Sequence, residues 1–334
     1  MNPFAEILRS RTRLNFDESY KMQQAILTGG IGTDELVEIF GLMDGRYPTG
    51  EEMNGIIAAT RDSMTQVKVG TDALDIVGTG GDGMQTFNIS TTAAVVCAAC
   101  GIPVVKHGNR SASSRCGSAD VLEALGVNIT LDAERALSCF EKTGMAFLFA
   151  PVFHPALKNA ATARKQFGKR TYFNILGPLV NPANISHLTL GVYDKNIISL
   201  MGKASLQNGV KHIWIVNSPD GLDELSPFVK TGIAYFSAAS PEGRILSPEY
   251  KLQDGSVKDI QATDAEESAR LMMDVLRNKS SEVQKQTVII NAAAGIMTFG
   301  KTANFSEAAA IAAEAIESGK ALQKFERIRE VTNG

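Results

Sequence analysis

The fold prediction starts from the run LDIVGTGGDG, residues 74–83, in which a short strand-like segment leads directly into a glycine-rich loop. From this point onward short apolar runs alternate with helical patterns, which is typical of α/β units around a largely parallel sheet. Candidate strands lie at residues 74–77, 102–105, 146–149, 188–192, 212–216 and 233–236. Candidate helices lie at residues 91–100, 118–125, 132–142, 267–276, 288–299 and 306–318. The predicted fold class is therefore α/β, with a central, mostly parallel sheet.

The residues that precede this run have a different pattern. Residues 1–66 show helical periodicity only, and Thr49-Gly50-Glu51-Glu52 matches a capping box that begins one of the helices. We predict a small all-helical domain over residues 1–66, joined by part of residues 165–185, and a larger α/β domain over residues 70–334. The segment NILGPLVNP, residues 174–182, is expected to form an ordered turn or hinge. The functional site is expected in the cleft between the two domains.

The composition indicates an ordinary globular protein of 334 residues, with 44% hydrophobic and 21% charged residues. A net charge of −3 argues against general nucleic-acid binding, which usually needs a broad basic surface. Cys97 and Cys100 have C-x-x-C spacing inside an apolar run without a second pair, so we expect buried, reduced thiols rather than a zinc site. The N-terminus has no signal-peptide pattern, and no apolar run approaches the roughly 20 residues that span a bilayer. We therefore expect a cytoplasmic protein without nucleic-acid or membrane partners.

Polar segments follow the predicted strands at the positions where α/β proteins bind ligands. The glycine-rich loop at residues 78–83 can turn its amides inward around a diphosphate. The basic run KHGNRSASSR, residues 106–115, suits a phosphorylated anion. Between them NIST, residues 88–91, begins a predicted helix whose amides, with the Ser90 and Thr91 hydroxyls, suit a terminal phosphate or a metal. A plain N-cap is the alternative for these two hydroxyls. Two anion-binding loops indicate a substrate with more than one phosphate group.

The glycine loop also satisfies the G-x-G-x-x-G pattern of dinucleotide-binding folds. Such sites carry an acid about twenty residues further on, at the end of the next strand, whereas that strand here ends in Lys106. The negative charge of Asp82 inside the loop would also repel a pyrophosphate, unless a metal or the backbone contacts of Asp82 offset that charge. A nicotinamide site is therefore disfavoured.

An acidic pair, Asp223-Glu224, follows the predicted strand at residues 212–216. Adjacent acids on a loop are most often a solvated turn. Beside a phosphate site, however, two carboxylates can share hard cations such as Mg²⁺ with the polyanion. The pair is therefore a candidate magnesium site.

Taken together, these motifs resemble those of the anthranilate phosphoribosyltransferase family, in the same order and over essentially the whole chain. The resemblance is carried by GTGGD, NIST, KHGNR, GSAD and DE, which begin at residues 78, 88, 106, 117 and 223, and by FNILGPL at residues 173–179. Two departures are Gln166-Phe167 after Arg164, and Asn217-Ser218-Pro219 before the acidic pair, where the family often has His-Gly. The resemblance implies a fold of the nucleoside phosphorylase/phosphoribosyltransferase type, in which residues 70–334 form a phosphoribosyl-binding domain.

The resemblance also implies the reaction and the residues that serve it. The enzyme would transfer the phosphoribosyl group of 5-phosphoribosyl 1-pyrophosphate (PRPP) to the amine of anthranilate, giving N-(5-phosphoribosyl)anthranilate and pyrophosphate, in tryptophan biosynthesis. The implied PRPP-binding residues are Gly78, Gly81, Asp82, Thr86, Asn88, Ile89, Ser90, Thr91, Lys106, His107, Gly108, Asn109, Arg110, Ser111, Ala112, Ser113, Ser114 and Ser118. The implied anthranilate contacts are Gly78, Asn109 and Arg164. Two Mg²⁺ ions per monomer would be held, one by Ser90 and Glu224 and the other by Asp223 and Glu224. The family also implies a cytoplasmic homodimer.

No side chain is assigned as a general base, because the aromatic amine of anthranilate is already neutral near pH 7. His154 is instead expected to be a hydrogen-bonded turn residue that lines the pocket. Two alternatives stay open. The first is a pyrimidine nucleoside phosphorylase-like enzyme, which shares the fold and phosphate loops but needs neither the acidic pair nor Arg164. The second is a non-enzymatic relative that binds nucleic acid, which would require a basic groove.

Overall fold

The computed structural model describes residues 2–110 and 116–334, and its first quarter is helical. The helices of this part are α1 (Pro3–Arg11), α2 (Phe16–Leu27), α3 (Thr33–Met43) and α4 (Gly50–Asp62). The predicted capping box is present at the start of α4, since Thr49 and Glu52 each accept a hydrogen bond from the backbone amide of the other. Helices α2 and α4 pack closely because Gly55 has no side chain; a Cβ there would overlap the backbone of Phe16.

A later segment packs against these first helices. It contains α8 (Ala150–Phe153), α9 (Ala161–Phe167) and α10 (Phe173–Leu176), with a 3₁₀ helix at Pro155–Ala160 and another at Gly177–Leu179. The Tyr172 hydroxyl donates to Gln23 Oε1 of α2 at 2.8 Å, and the Asn159 side chain donates to the Leu27 carbonyl at 2.7 Å. Helix α9 also contacts α3. The domain boundaries at residues 66 and 70 stay a prediction.

Seven strands form a single sheet in the order β3-β2-β1-β4-β5-β6-β7. The strands are β1 (Leu74–Gly78), β2 (Val104–Gly108), β3 (Met145–Phe149), β4 (His187–Gly191), β5 (His212–Val216), β6 (Ile233–Ser237) and β7 (Ser240–Leu246). Strands β1 to β5 pair in parallel, and β6 and β7 are antiparallel additions at one side. Each predicted strand overlaps one of the first six, so the mostly parallel α/β fold is confirmed.

Helices cover the sheet and complete the core. They are α5 (Ile89–Ala99), α6 (Ser118–Ala124), α7 (Ala133–Thr143), α11 (Ile198–Gln207), α12 (Ala265–Leu276), α13 (Glu282–Thr298), α14 (Phe305–Glu317) and α15 (Lys320–Asn333). Helix α5 is apolar on nearly all sides because it lies between β1 and α13. It carries Cys97, which is buried, and is followed by Cys100, which is half-buried; both are free thiols. In the described ranges no helix is long and apolar enough to cross a membrane.

The segment at residues 174–182 is ordered rather than extended. It forms the end of α10 and the following 3₁₀ turn, and most of its side chains are buried. The Asn181 amide donates to Asp75 Oδ2 and to the Val105 carbonyl, both at 2.9 Å, and so ties this segment to β1 and β2. The expectation of an ordered turn is confirmed, while a hinge motion at this segment stays a prediction.

The carboxyl ends of the parallel strands meet at one edge, and β4 ends there in Gly191. The loop that follows β5 and carries Asp223 and Glu224, here called the acidic loop, packs against this strand end. A Cβ at Gly191 would overlap the backbone oxygen of Asp223, so only glycine allows this packing. Replacing Gly191 with Ala should therefore push the acidic loop away and cost about 2 kcal/mol of unfolding free energy. Denaturant unfolding measures this loss. The matched control is Gly41→Ala on α3, where a Cβ meets nothing within 4 Å and stability should hold or rise. Equal stability of the two variants would contradict this account.

Candidate functional site

A cleft opens where the ends of β1 and β2, the start of α5 and the acidic loop face the segment from α9 to the turn at residues 177–179. It is lined by most of the predicted site residues: Gly78, Gly81, Asp82, Thr86, Asn88, Ile89, Ser90, Lys106, His107, Gly108, Asn109, Arg110, Ser118, Arg164, Asp223 and Glu224. Thr91 is fully buried beneath the cleft and does not line it. Ser111, Ala112, Ser113 and Ser114 lie outside the described residues.

The glycine loop turns sharply after β1. Gly80 and Gly81 have φ angles of +63° and +80°, values that residues with a side chain rarely adopt. The Thr79 amide continues the sheet by donating to the Gly191 carbonyl at 2.9 Å, and the Gly80 amide donates to Asp223 Oδ2 at 3.2 Å. The loop is thus held against the acidic loop by its own backbone.

The N-terminus of α5 faces the cleft, and its N-cap residue does not cap it with a side-chain hydrogen bond. Asn88 occupies the N-cap position, but its Oδ1 accepts from the Ser268 hydroxyl at 2.9 Å and makes no cap hydrogen bond. Ser90 and Thr91 lie within the first turn, so neither is the N-cap residue that the alternative interpretation required. An uncapped helix N-terminus carries a partial positive charge and suits an anion.

Lys106 lies inside the site with a buried side chain. Its Nζ donates to the Ile76 carbonyl and lies 3.4 Å from Ser90 Oγ. Burial lowers the pKa of this ammonium, while Asp75, Glu224 and Asp223 act in the opposite direction. Lys106 therefore supplies one positive charge among several buried acids.

The acidic pair is crowded, with Asp223 buried and Glu224 half-buried. Burial, and then the nearby Asp82, raises the pKa of Asp223 to about 7. Burial and the Asp223 charge raise the pKa of Glu224 well above its usual value, against the effect of Lys106. Carboxylates that repel one another in a dry site favour a hard cation between them.

The metal fit depends on oxygen donors beyond these two acids. In residues 2–110 and 116–334 no group of three or more His, Cys, Asp or Glu side chains could hold a metal by itself. Asp82 Oδ2 is a buried carboxylate oxygen that lacks a hydrogen-bond partner in the same part of the chain. The donor set thus fits Mg²⁺, which prefers oxygen and usually takes only one or two carboxylates, completing its shell with water and substrate phosphates.

Two buried histidines adjoin the cleft. His107 Nδ1 donates to the Gly177 carbonyl at 3.1 Å, His154 Nε2 donates to the Val180 carbonyl at 2.9 Å, and their ring centroids lie 5.0 Å apart. Burial lowers the pKa of His107 to about 3 and that of His154 to about 4. Both imidazoles are therefore neutral and weak bases, consistent with leaving the general base unassigned.

The lowered pKa of His154 makes folding sensitive to acid. In the unfolded chain His154 takes up a proton near pH 6.5, but in the folded chain it does so only near pH 4. The free energy of unfolding therefore falls as the pH is lowered through this window. Between pH 7 and pH 5 this histidine should account for about 2 kcal/mol of lost stability. Denaturant unfolding at several pH values should give a smaller acid loss for His154→Asn than for the wild type. Equal losses in the two proteins would contradict the depressed pKa.

Arg164 faces the cleft from α9. It is half-buried, and its guanidinium lies 5.2 Å from the centroid of the Phe173 ring. Within the described residues no carboxylate forms an ion pair with it, whereas Arg110 is paired with Asp120 and Glu123. Arg164 is therefore a planar cation available to an anionic group that enters the cleft.

Two residues that contact the site were not found from the sequence. Asp75 is buried in β1, and its Oδ2 accepts from the His107 amide at 3.2 Å, which fixes the strand that carries Lys106. An acid inside the apolar run LDIV is a signal that could have found it. Arg170 donates to the Gly81 carbonyl, and no sequence pattern distinguishes it from an ordinary surface arginine.

Comparisons with known proteins agree with this geometry. Residues 70–322 match the model of a family described as "Glycosyl transferase family, a/b domain". The anthranilate phosphoribosyltransferase of Bacillus velezensis is 40% identical over 331 residues, which cover 99% of this chain and 98% of the relative. The crystal structure of anthranilate phosphoribosyltransferase from Thermus thermophilus superposes with a TM-score of 0.91 at 33% identity, covering all of both chains. The Saccharomyces cerevisiae enzyme in complex with PRPP and Mg has the same fold, with a TM-score of 0.86 at 24% identity and coverage of 99% and 97%.

Proposed function

The chain belongs to the anthranilate phosphoribosyltransferase family, and from this premise we propose how its residues divide the work of the reaction. The enzyme transfers the phosphoribosyl group of PRPP to the amine of anthranilate in tryptophan biosynthesis. The assignment of residues rests on one observation: the crowded acidic pair, the N-terminus of α5 and Arg164, which has no ion-pair partner among the described residues, line the same cleft. The first two suit a metal-bound diphosphate, and the third suits a carboxylate acceptor.

The donor occupies the strand ends in this proposal. The Gly78 to Asp82 loop takes the pyrophosphate with amides other than those of Thr79 and Gly80, which are already hydrogen-bonded, and the α5 N-terminus, which includes Ser90, adds partial positive charge. Lys106 and the residues that follow β2, through Ser114, complete the phosphate site together with Ser118. Thr91 supports this site from below, because its side chain is buried.

Two Mg²⁺ ions complete the donor site. Ser90 and Glu224 hold one ion and Asp223 with Glu224 holds the second, with PRPP oxygens filling the remaining positions. Bound Mg²⁺ neutralises charge that develops on the departing pyrophosphate. Asp223 and Glu224 support this assignment, because two adjacent carboxylates that repel one another with little solvent around them cost free energy unless a cation lies between them.

Side chains and amides of the protein stabilise the transition state in which pyrophosphate is displaced. As the bond from the anomeric carbon to pyrophosphate breaks, the ribosyl carbon gains oxocarbenium character, and Lys106 with the loop amides offsets the charge of the leaving group. The neutral amine of anthranilate attacks without prior deprotonation and, once the C–N bond has formed, gives up one proton to the departing pyrophosphate, so the weakly basic His107 and His154 are not required as bases. Holding both substrates in one cleft lowers the entropic barrier.

The acceptor binds on the opposite wall. Arg164 makes a forked contact with the anthranilate carboxylate, while Asn109 and the Gly78 backbone contact the rest of the molecule. The helical domain, residues 1–66 with part of residues 165–185, closes about residues 174–182 and excludes water that would hydrolyse PRPP. Small-angle scattering with both substrates tests this closure; unchanged compactness would count against it. We also propose that the enzyme is a homodimer in the cytoplasm.

A direct assay tests the proposal. Mixing the protein with PRPP, Mg²⁺ and anthranilate should remove anthranilate fluorescence, and removing Mg²⁺ with a chelator should stop the loss. Thymidine or uridine with phosphate should give no nucleobase, which separates the enzyme from a pyrimidine nucleoside phosphorylase-like activity. Consumption that is unaffected by the chelator would refute the metal assignment.

A further inference from the structure

Arg170 contacts the glycine loop although it belongs to neither proposed substrate site. Its guanidinium donates a hydrogen bond to the Gly81 carbonyl and lies over the Tyr193 ring, 4.0 Å from the centroid. The side chain is exposed, and fixing an exposed arginine costs conformational entropy. A polar contact and a cation–π contact together hold it in one orientation.

Tyr193 links this arginine to the other side of the same turn. It follows β4, and its backbone amide donates to Thr79 Oγ1 at 3.3 Å. A closed circuit therefore runs from Thr79 through Tyr193 and Arg170 back to Gly81. This circuit encloses Gly80, and both Gly80 and Gly81 have positive φ angles; residues 79–81 are called the glycine turn below. Because glycine is conformationally free, this turn needs outside contacts to keep one shape.

The far end of the loop is fixed separately. The Gln261 side chain donates to the Met84 carbonyl at 2.9 Å, and the Ala262 amide donates to the Gln85 carbonyl at 2.9 Å. These contacts hold residues 84–85 but do not reach the glycine turn. Arg170 supplies the restraint on the side that faces α9 and α10.

We propose that Arg170 is a positioning residue for the donor: together with Tyr193 it holds the glycine turn in the shape in which the loop amides face PRPP. This inference rests on the proposed role of the glycine loop in PRPP binding. Arg170 acts through the loop and touches neither substrate. A loop that must be ordered on binding lowers apparent affinity, so loss of Arg170 weakens PRPP binding more than it slows the transfer.

Steady-state kinetics separate these effects. Arg170→Ala should raise the KM for PRPP about tenfold, with kcat within threefold and the KM for anthranilate within twofold of the wild type. Arg170→Lys keeps a donor for Gly81 but loses the planar stack, so it should recover part of the loss. Tyr193→Leu also loses the stack but leaves the Arg170 donor to Gly81 in place, so it should raise the KM for PRPP by less than Arg170→Ala does, whereas Tyr193→Phe keeps the ring and should match the wild type. The double variant Arg170→Ala/Tyr193→Leu should be little worse than Arg170→Ala alone, because Arg170→Ala already removes the stack on Tyr193.

The matched control is Lys169→Ala. This neighbouring exposed cation pairs with Asp44 and does not contact the glycine loop, so the KM for PRPP should not change. Hydrogen exchange of residues 79–85 should be faster in Arg170→Ala than in this control. A KM for PRPP within twofold of the wild type in Arg170→Ala overturns the proposal, and so does a fall in kcat alone.

A loop variant distinguishes failure of this inference from failure of the donor-site assignment. Gly81→Val strains a residue with positive φ and places a side chain against Arg170. If Gly81→Val leaves the KM for PRPP unchanged, the loop does not bind the donor and the proposed function fails at that point. If Gly81→Val raises this KM while Arg170→Ala does not, only the positioning role of Arg170 is overturned.

Discussion

Replacing Asp223 with Asn should lower kcat/KM for PRPP by about two to three orders of magnitude, because it removes a charge that holds Mg²⁺ against the pyrophosphate. The side chain keeps its size and an oxygen that can still accept from the Gly80 amide. The metal-free protein should not lose stability, since the change relieves repulsion with Asp82 and Glu224. Activity against Mg²⁺ concentration and thermal unfolding in a chelator measure the two effects.

The control for this variant lies in the same loop. Asp220 does not line the cleft, and its Oδ2 accepts from the Ser226 hydroxyl at 2.6 Å. Asp220→Asn keeps an acceptor for that hydroxyl and should leave kcat/KM within about threefold of the wild type. An Asp223→Asn enzyme as active as this control at limiting Mg²⁺ would rule out Asp223 as a metal ligand.

Replacing Arg164 with Lys should lower kcat/KM for anthranilate about a hundredfold while leaving the KM for PRPP within threefold. Lysine keeps the positive charge but not the fork that contacts both carboxylate oxygens, and hydrogen bonds to charged groups contribute about 1.5–3 kcal/mol each. Initial rates with each substrate varied in turn measure the change. The neighbouring Lys165 is exposed on the same helix, so Lys165→Met serves as the control.

A second acceptor sharpens this test. Aniline has the reacting amine but no carboxylate, so wild type and Arg164→Met should use it equally poorly. If the arginine instead acts on the donor or on the fold, aniline transfer will fall as well. An equal rise in the KM values of both substrates would likewise show that Arg164 does not recognise the acceptor carboxylate.

The part of the site that lies at the ends of strands could be predicted from the sequence, because glycines and charged residues directly follow the apolar runs that predict those strands. The parallel arrangement then brings Gly78, Lys106 and Asp223 together without further information. Contacts between distant segments could not be predicted in this way. Asp75 and Asn181 are joined by a side-chain hydrogen bond, and nothing local in either segment indicates the other.

Strand β7 and helix α11 are among the elements that the sequence analysis did not predict, and the structure gives a physical reason for each. Strand β7 contains Pro241 and Gly243, which are rare in strands, and it is tolerated because it is the outer edge of the sheet. Helix α11 contains Gly202, which weakens helix propensity. A Cβ at Gly202 would come within 2.6 Å of the Phe236 ring, so tertiary packing requires the glycine that hides the helix from sequence patterns.

The two halves of the cleft are carried by different kinds of element, and this bears on how new acceptors can be obtained. The proposed donor groups lie at the ends of sheet strands, where Lys106 and Asp223 are buried, whereas Arg164 projects from α9, a seven-residue helix whose other side chains are largely exposed. The exposed residues of α9 can therefore vary without disturbing the core that shapes the phosphate site, whereas the buried Ala163 cannot. A library confined to the exposed positions Ala161, Thr162, Lys165 and Gln166, and screened with other aromatic amines, explores acceptor chemistry while leaving the machinery that activates the ribosyl group in place.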